Sequence, residues 1–223
     1  VQIVKNLYES PFGDWIIGSP ETINPLQRDF VKDYFNQNYN PSNYIVSIVG
    51  NADFEKVCDY FERTFKANNA SPKLVPIKKL NKESIEERKG IDQANFVFAM
   101  HSPIPFTKEY YAFEILDSYL AGGMSSRLFL EIREKRGLAY SVKSSIEAEK
   151  NYSHYTIYVG TTKEAIPEVK KIIIEEFQKA KEMSQKQFEE AKQQIIGLRK
   201  VFSEESTNVM RDLIYSEIAG SAE

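Results

Sequence analysis

The spacing of apolar side chains predicts the helices of this chain. Apolar residues recur every three or four positions in five stretches, which is the pattern of a helix with one buried face. Asn24 and Pro25 have the chemistry of a helix cap and a first helical position, so the earliest helix is expected to start there. The predicted helices cover residues 26–39, 53–66, 107–121, 161–178 and 184–202, with a continuation over 203–218.

Short runs rich in β-branched and aromatic residues predict the strands. Residues 139–147 and 151–160 flank a polar turn, which is typical of an antiparallel pair. Strands that alternate with amphipathic helices indicate an α+β fold, with antiparallel or mixed sheets each covered by helices on one face. Residues 44–65 are predicted to form a strand, a glycine turn and a helix, and the same order recurs over residues 155–178. This repetition suits a duplicated unit of sheet and helix. The remaining predicted strands are 44–49, 83–89 and 93–101.

Residues 120–142 carry more local signals than any other part of the chain. A glycine pair, Gly122 and Gly123, is expected to end one helix, and a serine pair is expected to cap the next. This short second helix is predicted to end at Gly137 and to be amphipathic. Its apolar side contains Leu128, Phe129 and Ile132, and its wetter side contains Arg127, Glu131, Glu134 and Lys135.

Arg133 and Tyr140 are the two residues of this stretch with candidate chemistry. Arg133 falls in the last turn of the short helix, and Tyr140 begins the following strand seven positions later. Two rigid elements joined by a tight turn can bring a guanidinium and a phenol to one point outside the fold. A cation near a helix C-terminus is, however, favoured by the helix dipole without any function, and a strand tyrosine is usually a packing residue. The pattern alone leaves both interpretations open.

Charge and hydropathy narrow the classes of partner. A net charge of −3 offers no basic surface for nucleic acid. No apolar run approaches the roughly 20 residues that span a bilayer. We therefore expect neither nucleic acid nor a membrane as a partner. The chain begins at Val1 without a signal-peptide pattern, so a mature product or an excised fragment is expected. The sequence leaves the compartment unknown, with the cytoplasm preferred.

Cysteine and histidine are too few to build a disulfide or a zinc site. Cys58 is the only cysteine, and its helical spacing with apolar neighbours predicts a buried packing role. His101 and His154 are the only histidines, and neither belongs to a His-x-x-Glu-His or Glu-x-x-His motif. Because catalytic zinc normally takes three protein ligands, we expect this chain to bind no metal.

One sequence string resembles a known family. GGMSSRLFLEIREKRGLAYSV, residues 122–142, is similar to the most recognisable signature in the second half of the pitrilysin/insulinase-type zinc peptidases, the inverzincins, including their mitochondrial processing relatives. Residues 10–57 resemble the later part of that family's preceding domain, including a Tyr-Asn-Pro-Ser-Asn turn followed by a strand and Gly50. The resemblance covers nearly the whole chain, and residues 67–88 are the least distinctive.

The resemblance implies metallopeptidase-type duplicated domains. Residues 1–70 would be the C-terminal part of a preceding, incomplete peptidase domain. Residues 71–82 would be a linker, which agrees with the prolines and weak periodicity there. Residues 83–223 would be a second peptidase-like domain, truncated at its C-terminus.

The resemblance also implies a divided active site. In that family one domain holds zinc through the inverted motif and a later glutamate, while another contributes an arginine and a tyrosine. Arg133 and Tyr140 match those two by identity and spacing, whereas nothing here matches the zinc motif. The implied function is a zinc-dependent endopeptidase in which Arg133 and Tyr140 are catalytic and bind peptide substrate. Zinc and a zinc-bearing domain or subunit are expected only in the complete enzyme, so this chain alone is expected to be inactive.

Three hypotheses stay open. In the first, the chain is a fragment of a single-chain peptidase whose zinc motif precedes Val1. In the second, it is the arginine- and tyrosine-bearing subunit of a two-chain peptidase. In the third, it is a non-catalytic scaffold of the kind found among core subunits of respiratory complexes. Intact Arg133 and Tyr140 argue against the third, and the residues encoded upstream of Val1 would separate the first from the others.

Overall fold

A computed structural model describes residues 2–66, 75–90 and 93–220. Its described residues form two compact units. The first unit lies within residues 1–13 and 77–201, and the second lies within residues 14–76 and 202–223. No described helix is long and apolar enough to cross a membrane. The helices are α1 (Gln2–Leu7), α2 (Pro20–Ile23), α3 (Arg28–Asn38), α4 (Phe54–Thr64), α5 (Lys108–Ala121), α6 (Ile166–Lys179), α7 (Gln185–Phe202) and α8 (Ser206–Ala219), and the strands are β1 (Ala94–His101), β2 (Ala139–Ala148) and β3 (Ser153–Thr161).

The first unit contains a three-stranded antiparallel sheet in the order β1-β3-β2. The predicted antiparallel pair is confirmed as β2 and β3, and the strand predicted at 93–101 is β1 on the other side of β3. One face of β3 presents Tyr155, Ile157 and Val159, which are completely buried. They belong to a core that also includes residues of α5, α6 and the segment before β2, among them Leu120, Leu128, Ile132, Val169 and Ile173.

The opposite face of the sheet is more polar and differs from one end to the other. At one end the Tyr8 ring lies edge-on to His101 and His154, with ring centres 5.2 and 5.7 Å away. At the other end, around Gly160, the side chains of Asn95 and Tyr140 are exposed. This exposed end is where the candidate chemistry lies.

Two predicted boundaries in the first unit are wrong. Residues 83–89 form no strand, and their acidic side chains instead make ion pairs such as Glu87 to Lys163 Nζ at 2.8 Å. The helix predicted to begin at residue 161 or 162 begins at Ile166, because Thr161 is still paired with Ala139 in the sheet. The start predicted for α5 is confirmed, since the Thr107 hydroxyl accepts the Tyr110 amide at 3.2 Å.

The second unit contains α2, α3, α4 and α8. The helix predicted from Pro25 begins only at Arg28, because Asn24 closes the short helix α2 instead of capping α3. Helix α4 starts as predicted after Asp53, whose side chain accepts the Lys56 amide at 3.2 Å. The continuation predicted after residue 202 is a separate helix, α8. Cys58 on α4 is half-buried rather than buried.

The predicted strand at 44–49 is wrong as well. These residues have no regular secondary structure, and among the described residues no strand pairs with them. Ser47 Oγ donates to the Met210 carbonyl at 3.4 Å, so this segment contacts α8. A strand is defined by hydrogen bonds to a neighbour, and apolar composition alone does not supply one. Residues 71–74 of the predicted linker lie outside the described residues, and the domain assignment stays a prediction.

Candidate functional site

Arg133 lies on a π-helical turn, Phe129–Glu134. The Lys135 amide donates to the Leu130 carbonyl, five residues back, at 2.9 Å, which is the bond that widens a helix into this form. The Arg133 guanidinium carbon lies 4.8 Å from the centre of the Phe129 ring, and the side chain is 44% exposed. The prediction of a helix with Arg133 in its last turn is therefore confirmed, and π-helical turns are frequent at functional sites.

Gly137 ends this turn as predicted. Its φ is +60°, a conformation that side chains other than glycine rarely adopt. The Gly137 amide donates to the Arg133 carbonyl at 3.0 Å, and the Leu138 amide donates to the Ile132 carbonyl at 2.9 Å. The first is the bond of an αL helix cap, and together the two bonds close the turn from which the chain enters β2. Arg133 is thereby placed close in sequence and structure to the start of that strand.

Glu131 is buried, so its predicted place on the wetter side of the helix is wrong. Its carboxylate accepts hydrogen bonds from Lys135 Nζ and Arg136 Nη1, both at 2.6 Å. These donations outweigh the effect of burial and lower the pKa of Glu131 to about 2. The carboxylate tolerates burial because cations from the same segment surround it.

A second buried carboxylate, Glu176 of α6, joins this network. Arg127 Nε donates to Glu176 Oε2 at 2.8 Å, and Arg127 Nη2 lies 3.5 Å from Glu131 Oε1. Lys179 Nζ donates to the other Glu176 oxygen at 2.8 Å. Burial raises the pKa of Glu176, but the donations from Arg127 and Lys179 outweigh it and the net pKa is lowered. The network ties the π-helical turn to α6 and so fixes the element that carries Arg133.

Tyr140 lies in a β-bulge at the start of β2. Ala139 pairs with Thr161 and Ser141 pairs with Gly160, so Tyr140 is an extra residue with no partner opposite it. Its side chain is directed over Gly160, where an added Cβ would lie 2.6 Å from Tyr140 Cε1. Tyr140 is nevertheless 55% exposed. A bulge and a glycine together thus place the phenol on the open end of the sheet.

The hydroxyl of Tyr140 is hydrogen-bonded to its neighbour on β3. It lies 3.2 Å from the Tyr158 hydroxyl, which in turn donates to Asn95 Oδ1 at 2.6 Å. The hydrogen bond to Tyr158 raises the pKa of Tyr140, so the phenol is protonated near pH 7. Sequence reasoning missed Tyr158, Asn95 and Gly160. The available signals were the alternation in YTIYVG, which puts Tyr158 and Gly160 on one face, and the glycine inside a strand.

The structure leaves both candidate residues accessible. Arg133 contacts Phe129 and also lies 3.9 Å from Glu134 Oε1, whereas Tyr140 contacts Tyr158. Neither side chain is enclosed in the core. Both elements that carry them are fixed, one by the carboxylate network and the other by the sheet. That both residues act on one substrate stays a prediction.

The two histidines do not fit a zinc site. They face each other across β1 and β3, where His101 pairs with His154. His101 Nε2 donates to the Leu80 carbonyl at 2.9 Å, so this nitrogen is committed to the backbone. Burial lowers the pKa of His154, whose Nδ1 lies 3.4 Å from the Tyr8 hydroxyl. Over the described ranges, no three His, Cys, Asp or Glu side chains are grouped to hold a metal ion.

Sequence comparison finds a family and several relatives. A family model described as the peptidase M16 inactive domain matches residues 25–195. An uncharacterized zinc protease of Streptomyces coelicolor is 29% identical over 179 residues, which cover 75% of this chain and 39% of that protein. The chain spans less than half the length of the curated relatives it matches.

Solved structures share the fold. The peptidase M16 inactive domain from Pseudomonas fluorescens matches with a TM-score of 0.81 and 21% identity, covering 99% of this chain and 54% of that one. A chain of complex III2 from Candida albicans matches with a TM-score of 0.86 and 16% identity, covering 98% of this chain and 55% of that one. At these identities the likeness shows the fold alone. Because the family model matches most of the length of this chain, the chain belongs to the peptidase M16 family and carries that family's inactive domain.

Proposed function

We propose that this chain supplies the arginine and tyrosine half of the peptide-hydrolysing site of a zinc endopeptidase. One observation carries the proposal: the Tyr140 phenol is held by a bulge over Gly160 and remains exposed, at the start of the strand that follows the turn bearing Arg133. A phenol needed only for packing would not require an inserted residue and a glycine beneath it. Relatives named as zinc proteases support the reaction class.

Tyr140 acts as a hydrogen-bond donor to the scissile peptide. Its hydroxyl is neutral near pH 7, since the hydrogen bond to Tyr158 raises its pKa. The O–H is directed to the carbonyl oxygen of the substrate, and it stabilises the negative charge that develops on this oxygen as the peptide bond is attacked. Its exposure leaves room for an extended peptide to reach it.

Arg133 binds and orients the same peptide. A guanidinium carries five N–H donors and no acceptor, so it binds backbone carbonyl oxygens of the substrate. The Phe129 ring lies 4.8 Å from the Arg133 guanidinium carbon and supports it. The charge of Arg133 is permanent, which makes this contact insensitive to pH in the neutral range.

The zinc is assigned to residues outside this chain. Its ligands are either upstream in the same protein or on a partner subunit. The relatives named as zinc proteases are more than twice as long as the segments they share with this chain, which leaves room for such a domain. On this proposal, the chain does not hydrolyse peptides by itself.

The test uses the assembled peptidase, meaning the full-length protein together with whichever chain carries the zinc. Tyr140→Phe is expected to lower kcat by about 100-fold, as for the loss of one oxyanion donor. Arg133→Ala is expected to lower kcat/KM by about 10- to 100-fold, chiefly through a higher KM, because it removes substrate binding. Cleavage of a fluorogenic peptide gives both constants, and zinc content measured by mass spectrometry is expected to be unchanged.

Two matched controls come from the same unit. Tyr111→Phe removes a hydroxyl from an exposed tyrosine on α5, and Arg88→Ala removes an arginine whose side chain is 69% exposed. Both are expected to keep wild-type turnover. Wild-type turnover in both Tyr140→Phe and Arg133→Ala would overturn the proposed function.

A non-catalytic role in an assembly is the second candidate. It is supported by the fold shared with a chain of complex III2 from Candida albicans. On this hypothesis, the full-length protein co-purifies in a stable complex that cleaves no peptide. Tyr140→Phe and Arg133→Ala would then leave the composition of the complex unchanged.

A further inference from the structure

A row of polar side chains crosses all three strands at the open end of the sheet. It runs from Tyr140 on β2 through Tyr158 on β3 to Asn95 on β1, with oxygen-to-oxygen distances of 3.2 and 2.6 Å. Gln93, just before β1, adds its side-chain nitrogen 3.4 Å from Asn95 Oδ1 and 3.5 Å from the Tyr158 hydroxyl. The row is continuous, and Tyr140 is its outer end.

The donors in this row have a defined order. A phenol has one hydrogen to donate. The Tyr158 hydroxyl donates it to Asn95 Oδ1 at 2.6 Å, the shorter of its two contacts. The Tyr158 oxygen can then accept, so the 3.2 Å contact is a donation from Tyr140 to Tyr158. Asn95 thus fixes the hydrogen of Tyr158, and Tyr158 fixes the hydroxyl of Tyr140.

We propose that Tyr158 is a positioning residue for Tyr140 and that Asn95 anchors Tyr158. This inference rests on the proposed function, in which Tyr140 donates to the substrate. Gly160 leaves room for the Tyr140 ring next to the strand, but an exposed ring beside a glycine is not fixed in rotation or reach. The hydrogen bond to Tyr158 supplies that constraint and holds the phenol where the peptide arrives.

The row also provides a second arrangement once substrate is bound. When the Tyr140 hydroxyl donates a hydrogen bond to the substrate carbonyl, the Tyr140 oxygen can accept a hydrogen bond from Tyr158. The Tyr158 hydrogen then has two acceptors within reach, Asn95 Oδ1 and the Tyr140 oxygen. Asn95 keeps the Tyr158 hydroxyl ordered while its hydrogen is shared with the Tyr140 oxygen, so that Tyr158 holds Tyr140 in both arrangements. No proton leaves its oxygen in this rearrangement.

The first part of the test measures the phenol itself. In the assembled peptidase labelled with ¹³Cζ-tyrosine, the Tyr140 resonance is assigned by its absence in Tyr140→Phe. Tyr158→Phe is expected to shift the titration midpoint of Tyr140, since it removes the hydroxyl to which the phenol is hydrogen-bonded. Tyr111→Phe is expected to leave this midpoint unchanged. A Tyr140 midpoint that does not move in Tyr158→Phe would overturn the proposal, because a merely structural Tyr158 would have this result.

The second part measures turnover. Tyr158→Phe is expected to lower kcat by about 3- to 10-fold, the usual effect of one hydrogen bond, while KM changes by less than about twofold. Asn95→Leu, which keeps the size but removes the acceptor, is expected to act in the same direction and serves as the second variant. In a Tyr140→Phe background, Tyr158→Phe should have no further effect on kcat. Full additivity of the two substitutions would overturn the proposal.

The two parts separate failure of the inference from failure of the proposed function. If Tyr140→Phe keeps wild-type turnover, the role proposed for Tyr140 is wrong and Tyr158 has no role in catalysis. The titration would then show only whether Tyr158 holds the Tyr140 hydroxyl. If Tyr140→Phe is inactive but Tyr158→Phe changes neither the midpoint nor kcat, the function stands and the positioning role is wrong.

Discussion

Replacing Glu131 with glutamine tests whether the network beneath the π-helical turn stabilises the fold. Folding lowers the pKa of this carboxyl from 4.5 to about 2. Each pKa unit corresponds to about 1.4 kcal/mol, so the ionised carboxylate contributes at most roughly 3 kcal/mol. The side chains of Lys135 and Arg136 are 60% and 40% exposed, and water screens part of their attraction. We therefore expect Glu131→Gln to lower the free energy of unfolding by about 2 kcal/mol at neutral pH.

The effect has a defined dependence on pH. Because the pKa of Glu131 is lower in the folded state, its stabilisation is fully present above pH 4.5 and is lost as the pH falls toward 2. The difference in unfolding free energy between the wild type and Glu131→Gln should therefore shrink by about half at roughly pH 3. Glutamine does not titrate, so this narrowing comes from the wild type alone.

The assay is unfolding in urea, followed by circular dichroism at neutral and acidic pH. Tryptophan fluorescence is unsuitable, because the only tryptophan, Trp15, lies in the second unit. The control is Glu134→Gln on the same π-helical turn, where the side chain is 54% exposed and lies 3.9 Å from Arg133. It should cost less than about 0.5 kcal/mol. Equal losses in the two variants, or a difference that does not change with pH, would refute the reasoning.

Two further substitutions give contrasting outcomes. Gly160→Ala should leave the free energy of unfolding within about 0.5 kcal/mol of the wild type, because the exposed Tyr140 ring can swing away from the new methyl group. The displaced phenol should nevertheless bring kcat of the assembled peptidase close to that of Tyr140→Phe, as measured by peptide cleavage. Tyr155→Phe should lower the free energy of unfolding in urea by about 1–3 kcal/mol, because it removes the hydrogen bond at 2.7 Å to Asp117, a carboxyl whose pKa burial already raises.

The sequence was most informative where structure is set by nearby residues. Thr107 caps α5, Gly137 ends the π-helical turn, and β2 and β3 pair across a short turn, all as predicted. In each case the interacting groups lie within a few residues of one another or in adjacent elements. Local pattern is sufficient for such features because caps and turns depend on local backbone chemistry.

Features that depend on distant residues were missed. Residues 44–49 have strand composition, but a strand also needs a partner that local pattern does not identify. Burial of Glu131 depends on a network that extends through Arg127 to Glu176, 45 positions away in the chain. The candidate site divides in the same way: Arg133 and Tyr140 were found from their own stretch, whereas Asn95 joins the row only through the pairing of β1 with β3.

The inserted position of Tyr140 separates the chemistry of the site from the stability of the sheet. Residue 140 takes no place in the cross-strand register, so its side chain can be exchanged without moving any of the pairs on either side. Another hydrogen-bond donor of similar length, such as histidine or glutamine, could therefore be introduced at position 140. Such a substitution would change how the site binds a peptide while the fold is retained.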